Sequence, residues 1–231
     1  MIGNETKLVY TGFNDHAKTF FITGSRTVIV DTSTPGNSGN ILQSMSRNGI
    51  DPEQVSLIIL THAHLDHFGS AKELSELLQV PIAMGRADSI YISEGRSAPI
   101  VPHSAKGVAR LRETEGNNAD MQMLTFNPDI LFEDDISLAE YGVDADVLMT
   151  PGHTFGSVSV AVRGGDCAIG DLLTGEPPSN VPEFPIFAED TKAVWSSLKK
   201  VLEYGPTGLC PGHGQRIGAA DARKKFAGML S

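Results

Sequence analysis

Three imidazoles and one carboxylate crowd the positions His62-Ala63-His64-Leu65-Asp66-His67, directly behind the apolar stretch Leu57-Ile58-Ile59-Leu60. Neutral imidazole is the commonest protein metal ligand and a carboxylate is a common anionic one. A cluster this dense, delivered at a strand end, suits a catalytic metal better than it suits packing. Three later segments repeat the same local plan: Val147-Leu148-Met149-Thr150-Pro151-Gly152-His153, Cys167-Ala168-Ile169-Gly170-Asp171 and Gly208-Leu209-Cys210-Pro211-Gly212-His213. In each, a short apolar run ends in Gly and then a ligand-type side chain, as strands ending at one rim of a sheet would. Ligands distant in sequence can meet at such a rim. Five of the seven histidines belong to this set, which leaves His16 and His103 outside it.

With these residues in view, the chain resembles the metallo-β-lactamase-fold hydrolases. The resemblance rests on His-x-His-x-Asp-His at 62 to 67, Gly-His at 153, Gly-Asp at 171 and Gly-His-Gly at 213, and it extends to the layout of the whole chain. It implies one metal on His62, His64 and His153, a second on Asp66, His67 and His213, and Asp171 bridging the two. All seven positions are filled without substitution.

Two dications that share a water lower its pKa toward ~7, which makes hydroxide available at neutral pH, so no side chain has to act as the nucleophile. Asp171 spans both ions with its two oxygens, and Asp66 is a ligand that also orients the hydroxide. These two carboxylates are the candidate catalytic residues. The expected cofactors are two divalent ions, zinc in first place with iron or manganese as alternatives. The expected reaction is hydrolysis of a small ester, thioester or lactone. In its ligands the chain is most similar to glyoxalase II. Where that enzyme carries a glycine- and arginine-bearing loop after the bridging aspartate, this chain has Leu172-Leu173-Thr174-Gly175-Glu176-Pro177, and its 231 residues hold no counterpart of the helical glutathione-binding extension. A substrate without glutathione is therefore expected.

The rival class is an iron persulfide dioxygenase, a family similar in ligand pattern but using one iron on residues matching His62, His153 and Asp171. True metallo-β-lactamases often have Cys or Ser at the position of Asp171, and the tyrosine usual in quorum-signal lactonases has no placed counterpart. Flavodiiron proteins usually carry Glu at the position of His64 and a flavin domain that this length excludes. A noncatalytic metal-binding module is the third class; it would not require so complete a ligand set beside a pocket loop.

Composition bounds these readings. The sequence has 18 Lys and Arg against 28 Asp and Glu, a formal charge of −10 that repels phosphate backbones, so the partner is a small molecule and not nucleic acid. The start of the chain has no leader pattern and no run approaches the ~18 apolar residues of a membrane span, so no membrane association and a cytoplasmic location are expected. Cys167 and Cys210 each lie in an apolar run and are expected as buried free thiols, Cys210 close enough to His213 to drift near the metals. The ligands run from His62 to His213, so any cut between them would dismantle the site, and residues 1–231 are read as a single domain.

The elements that must carry the ligands follow from periodicity. Leu8-Val9-Tyr10, Thr19 to Thr23 and Thr27 to Asp31 predict antiparallel strands, and Leu57 to Leu60 predicts the strand behind the first ligands. Ile41, Leu42 and Met45 mark one helix face; Leu74, Leu77 and Leu78 mark another after His67, and Val80-Pro81-Ile82-Ala83 leads into a further strand. Further strands are expected near Asp129 to Phe132, Asp146 to Thr150, Val158 to Val162 and Cys167 to Ile169, and a helix over Thr191 to Tyr204 with Trp195 in the core. Two sets of strands, each flanked by helices, match the α/β four-layer αββα sandwich that the resemblance implies. Residues 85 to 127, with Gly116-Asn117-Asn118, and the proline-rich stretch 172 to 189, with Pro177, Pro178, Pro182, Pro185, Phe184 and Phe187, are expected to flank the pocket mouth.

Overall fold

The computed structural model describes residues 6–11, 17–114, 124–176 and 181–230. His16, Gly116-Asn117-Asn118 and Pro177-Pro178 lie outside the described residues.

The first half builds one sheet. Strands β1 (Lys7–Thr11), β2 (Thr19–Thr23) and β3 (Thr27–Val30) form an antiparallel meander. Helix α1 (Ser38–Arg47) then crosses over to β4 (Val55–Leu60), which lies parallel to β3. After a short α2 (Leu65–Phe68) and α3 (Ala71–Leu78), β5 (Ile82–Gly85) continues parallel. Helices α4 (Arg86–Ser93) and α5 (Ala105–Thr114) precede β6 (Ile130–Phe132), which completes the order β1-β2-β3-β4-β5-β6. The second half contributes β7 (Ile136–Ser137), β8 (Ala145–Met149), β9 (Val158–Val162) and β10 (Cys167–Ala168). A separate hairpin, β11 (Thr174–Glu176) with β12 (Val181–Glu183), leads to α6 (Thr191–Tyr204), β13 (Gly208–Cys210), β14 (Ile217–Gly218) and α7 (Ala219–Lys225). The second sheet is ordered β14-β13-β10-β9-β8-β7.

Strand alternation sorts the side chains into layers. Phe20, Ile22, Val28, Val30, Leu57 and Ile59 meet Val147, Val158, Val160, Ala168 and Cys210 between the sheets. The opposite faces of the same strands, Phe21, Ile29, Ile58 and Leu60, pack under Ile41 and Met45 of α1 and Leu74 of α3. On the far side, Ala161, Cys167 and Leu209 pack under Val194, Leu198, Val201 and Leu202 of α6 and Ala222 of α7. The result is the four-layer αββα sandwich. Both faces of each sheet are covered, which explains why Leu57 to Leu60 reads as an unbroken apolar run instead of an alternating one.

Several boundaries differ from expectation. The strand into which Val80-Pro81-Ile82-Ala83 leads begins at Ile82, after Val80 closes the αL turn that ends α3 at Gln79. Leu77 is 58% exposed: the buried face of α3 is narrow, and Leu74 and Leu78 fill it. The stretch expected as a stiff loop after Asp171 contains the β11–β12 hairpin. Trp195, expected in the core, is half-buried and packs against it, its ring centroid 4.5 Å from that of Phe184 and, edge-on, 5.2 Å from that of Phe226. Both cysteines are free and buried on opposite faces of their sheet, Cys210 between the sheets and Cys167 under the outer helices, and neither belongs to a metal-ligand group. No helix among the described residues is long and apolar enough to cross a membrane.

Candidate metal centre

All the ligand-type residues named from sequence converge at one rim of the two sheets. His62 and His64 lie in the turn after β4, and Asp66 and His67 in α2. His153 follows β8, Asp171 follows β10 and His213 follows β13. Three groups of ligand atoms form there, each within 4.8 Å: His62, His64 and His153; Asp66, His67 and His213; and His62, His67 and Asp171. Asp171 lies between the two triads, with Oδ1 3.5 Å from His67 Nε2, and Oδ2 3.5 Å from His213 Nε2 and 3.7 Å from His153 Nε2.

Glycine makes this convergence possible. A Cβ on Gly212 would stand 2.5 Å from His67 Cε1 and 2.7 Å from Asp171 Oδ1, inside the cluster itself. Gly170, at φ +51°, lets the chain turn sharply before Asp171, and a Cβ there would meet Thr61 Oγ1 at 2.8 Å.

Outer hydrogen bonds aim the rings. His153 Nδ1 donates to Phe187 O at 2.9 Å and His64 Nε2 to Pro99 O at 3.4 Å. Thr61 Oγ1 donates to Asp31 Oδ2 (2.8 Å), so it accepts from His62 Nδ1 (3.0 Å). Each histidine of this triad thus places its proton outward. Three lone pairs are left facing one another, with His64 Nδ1 3.0 Å from both His62 Nε2 and His153 Nε2. Burial, followed by repulsion from neighbouring imidazoles, holds His62 well below the ordinary imidazole range, and burial lowers His153 to about 4. Three neutral rings with converging lone pairs repel one another unless a cation sits among them.

The second triad is charged. Burial opposes ionisation of Asp171, but His213 and His67 outweigh it and hold the carboxyl well below its usual range. Burial likewise opposes the proton on His67, yet Asp171 and Asp31 hold it well above the ordinary value. Asp66 is partly exposed; its Oδ2 lies 3.0 Å from His213 Nε2, and that contact holds the carboxyl below its usual range. Two atoms here have no hydrogen-bond partner although both are buried, His67 Nε2 and Asp171 Oδ1. Such orphans cost about 1–3 kcal/mol each. Both are atoms of ligand type and they face each other, so the residues fit a metal ion.

Asp31 is the residue that sequence reading passed over as the end of the strand Thr27 to Asp31. It is fully buried and accepts from Thr61 N (2.7 Å), Thr61 Oγ1 (2.8 Å) and His67 Nδ1 (2.7 Å). The last bond fixes the His67 tautomer so that Nε2 faces the cluster. Its φ of 60° is a left-handed backbone in a non-glycine residue, strain of the kind concentrated at functional sites. A carboxylate straight after an apolar strand, as at Asp171, was the available signal. His103 stands apart from the cluster, its Nε2 on Pro185 O and its ring 5.2 Å from Phe184.

The two segments expected at the pocket mouth do meet at the site. Residues 98–102 run past His64 and residues 187–189 past His153, and they pair with each other through Ala188 N to Val101 O (2.9 Å) and a bridge between Pro102 and Phe187. Ile100, Val101 and Phe155 are exposed on this rim.

Similarity to known proteins bears on identity. "Probable metallo-hydrolase MJ0888" of Methanocaldococcus jannaschii is 26% identical over 73% of this chain and 70% of its own length. "Probable metallo-hydrolase YflN" of Bacillus subtilis is 27% identical over 81% of this chain and 75% of its own. The crystal structure of the BLEG-1 B3 metallo-beta-lactamase superposes with a TM-score of 0.69, covering 97% of this chain and all of that one at 16% identity, a likeness of fold. The model of the metallo-beta-lactamase superfamily matches residues 14–213, a span that encloses every residue of the His/Asp cluster, and the chain belongs to that superfamily of metallo-hydrolases.

Proposed function

We infer that this protein is a binuclear metal-dependent hydrolase of a small, uncharged ester, thioester or lactone. The observation that carries the reading is the pair of triads meeting at Asp171. His62, His64 and His153 would hold one divalent ion, Asp66, His67 and His213 the second, and Asp171 would contribute an oxygen toward each. Zinc is the first expectation for a set so rich in imidazole, with iron and manganese compatible with the same donors. Bound there, such ions supply Lewis acidity, acidifying water and polarising a carbonyl.

The chain's own residues do the rest. The hydroxyls next to the histidines are committed as donors to buried carboxylates, Thr61 to Asp31 and Thr154 to Asp88, so neither is an available nucleophile and water is the attacking group. Asp66 and Asp171, both held ionised, provide the acceptors that orient that water. On the substrate side, Ala98-Pro99-Ile100-Val101-Pro102 and Pro185-Ile186-Phe187-Ala188-Glu189 contain no Lys or Arg, and Phe155 adds an exposed aromatic ring. Such a rim favours an apolar acyl group over a carboxylate-bearing conjugate such as an acyl-glutathione or a β-lactam. The acidic surface, −10 overall, supports a small-molecule substrate over nucleic acid.

A mononuclear iron dioxygenase using His62, His153 and Asp171 would leave His64 Nδ1, 3.0 Å from both of those histidines' Nε2 atoms, without a part. Elemental analysis of protein purified without added metal, with oxygen uptake and a panel of simple thioesters, lactones, an acyl-glutathione and a cephalosporin reporter, tests the proposal. Two ions per chain and hydrolysis of neutral substrates are expected. One iron with oxygen consumption, or strong preference for the glutathione conjugate, overturns it.

A further inference from the structure

Asp88 is fully buried in the first turn of α4, outside every metal-ligand group, and its carboxylate is saturated by donors from two other segments. Oδ2 accepts from Ala63 N (2.9 Å) and from Thr154 Oγ1 (2.8 Å), and Oδ1 accepts from Gly156 N (2.7 Å). Ala63 stands between His62 and His64, and Thr154 directly follows His153. One carboxylate therefore holds the backbone on both sides of the gap that the three imidazoles close.

The approach is built in by two glycines. A Cβ on Gly85 would lie 2.0 Å from Gly156 O, and one on Gly156 would lie 2.5 Å from both Asp88 N and Asp88 Oδ1, so the 154–156 turn rests directly on the start of α4. Thr154 is fixed again by Ser157, whose Oγ accepts from Thr154 N at 3.0 Å. Burying an ionised carboxyl is costly, and burial does push Asp88 upward against its three hydrogen bonds. A purely mechanical link between loops has cheaper apolar solutions, whereas acceptance of two backbone N–H groups and a hydroxyl at fixed angles fixes direction as well as distance.

The geometry points to Asp88 as a positioning residue that sets the aim of His62, His64 and His153 together, while it makes no contact with the triad of Asp66, His67 and His213, of which Asp31 holds His67. This rests on the binuclear reading above, and its consequence is asymmetric: loss of Asp88 should weaken one metal site and spare the other. Partners of this kind are typically worth about 10–100-fold in metal affinity.

The test is zinc binding to the full chain by chelator competition, with each site assigned from the side-chain ¹⁵N signals of its histidines. The proteins compared are wild type, Asp88→Asn, Thr154→Val and, as a control for general destabilisation, Asp166→Asn. Asp88→Asn puts an amide donor against a backbone N–H or the Thr154 hydroxyl; Thr154→Val removes one of the three bonds at nearly constant shape. The expected result is about 10–100-fold weaker zinc at His62, His64 and His153 in Asp88→Asn, and a smaller loss at the same site in Thr154→Val. Binding at His67 and His213 should stay within about twofold in both, and Asp166→Asn should lower the melting temperature without moving either constant. Folded Asp88→Asn with both constants unchanged, or with both reduced alike, overturns the assignment. Should Asp88→Asn fail to fold, Thr154→Val decides by the same criterion. Failure of the binuclear reading would show earlier and separately, as wild type that takes up no zinc at the three histidines.

Discussion

Asp171 lies against both triads, its oxygens 3.5 Å from His67 and His213 and 3.7 Å from His153. Asp171→Ala should fold, since each triad keeps three ligand residues, yet lose metal from at least one site and fall in rate by about a hundredfold or more. Circular dichroism, metal content and hydrolytic rate measured together check this; near-wild-type activity with both ions bound would show that the carboxylate is no bridge. His103→Ala should change activity little, because that ring contacts Pro185 and Phe184 and none of the ligands. The seven ligand-type residues were legible in sequence because their spacing is local or repeats one local plan. Asp31 and Asp88 were not, since their partners lie 36 and 25 positions away and leave no pattern in a window.

Segments 98–102 and 187–189 form the rim, and the exposed side chains of Ile100, Val101 and Phe155 are its apolar surface. Val101→Asp should raise KM for substrates with apolar acyl groups while leaving metal content and fold unchanged; an unaltered KM across a series of acyl chain lengths would remove the rim from substrate binding. Helix α6 packs the outer face of the second sheet and is capped by Asp190, which accepts from Lys192 N and Ala193 N. Asp190→Ala should cost about 1 kcal/mol in chemical denaturation, in line with loss of an N-cap. The range Thr191 to Tyr204 was readable because the cap, the apolar spacing and the αL Gly205 all agree. Leu77 was misassigned to the buried stripe because periodicity gives the direction of a face but not its width.

Between the sheets, Leu57 is fully buried among side chains from both, and Leu57→Ala should cost about 2–5 kcal/mol, read as a lowered denaturant midpoint. Away from the metals, Asp166 joins the second sheet's strands, accepting from Arg216 Nε and Nη2 at 2.6 Å each and from Thr207 Oγ1 at 2.5 Å. Burial opposes its charge, but the Arg216 contact prevails and holds the carboxyl below its usual range. A depressed carboxylate contributes stability that is present above its unfolded pKa of about 3.9 and is lost as pH falls through the folded value. Asp166→Ala should therefore differ from wild type in urea midpoint at pH 7 and converge with it at strongly acid pH; a constant difference would show that the ion pair contributes nothing. Local pattern alone carried the clustered His and Asp residues, most strands and three of the helices, since each depends on side-chain periods of two or 3.6 residues and on turn chemistry. The layered architecture came through the family resemblance, not from periodicity. Folding in three dimensions added the pairing of segments 98–102 and 187–189, the central place of Asp171 and the buried carboxylates behind the histidines. Those features are hydrogen bonds and close approaches between residues far apart in the chain, and their energy exists only once the sheets have packed.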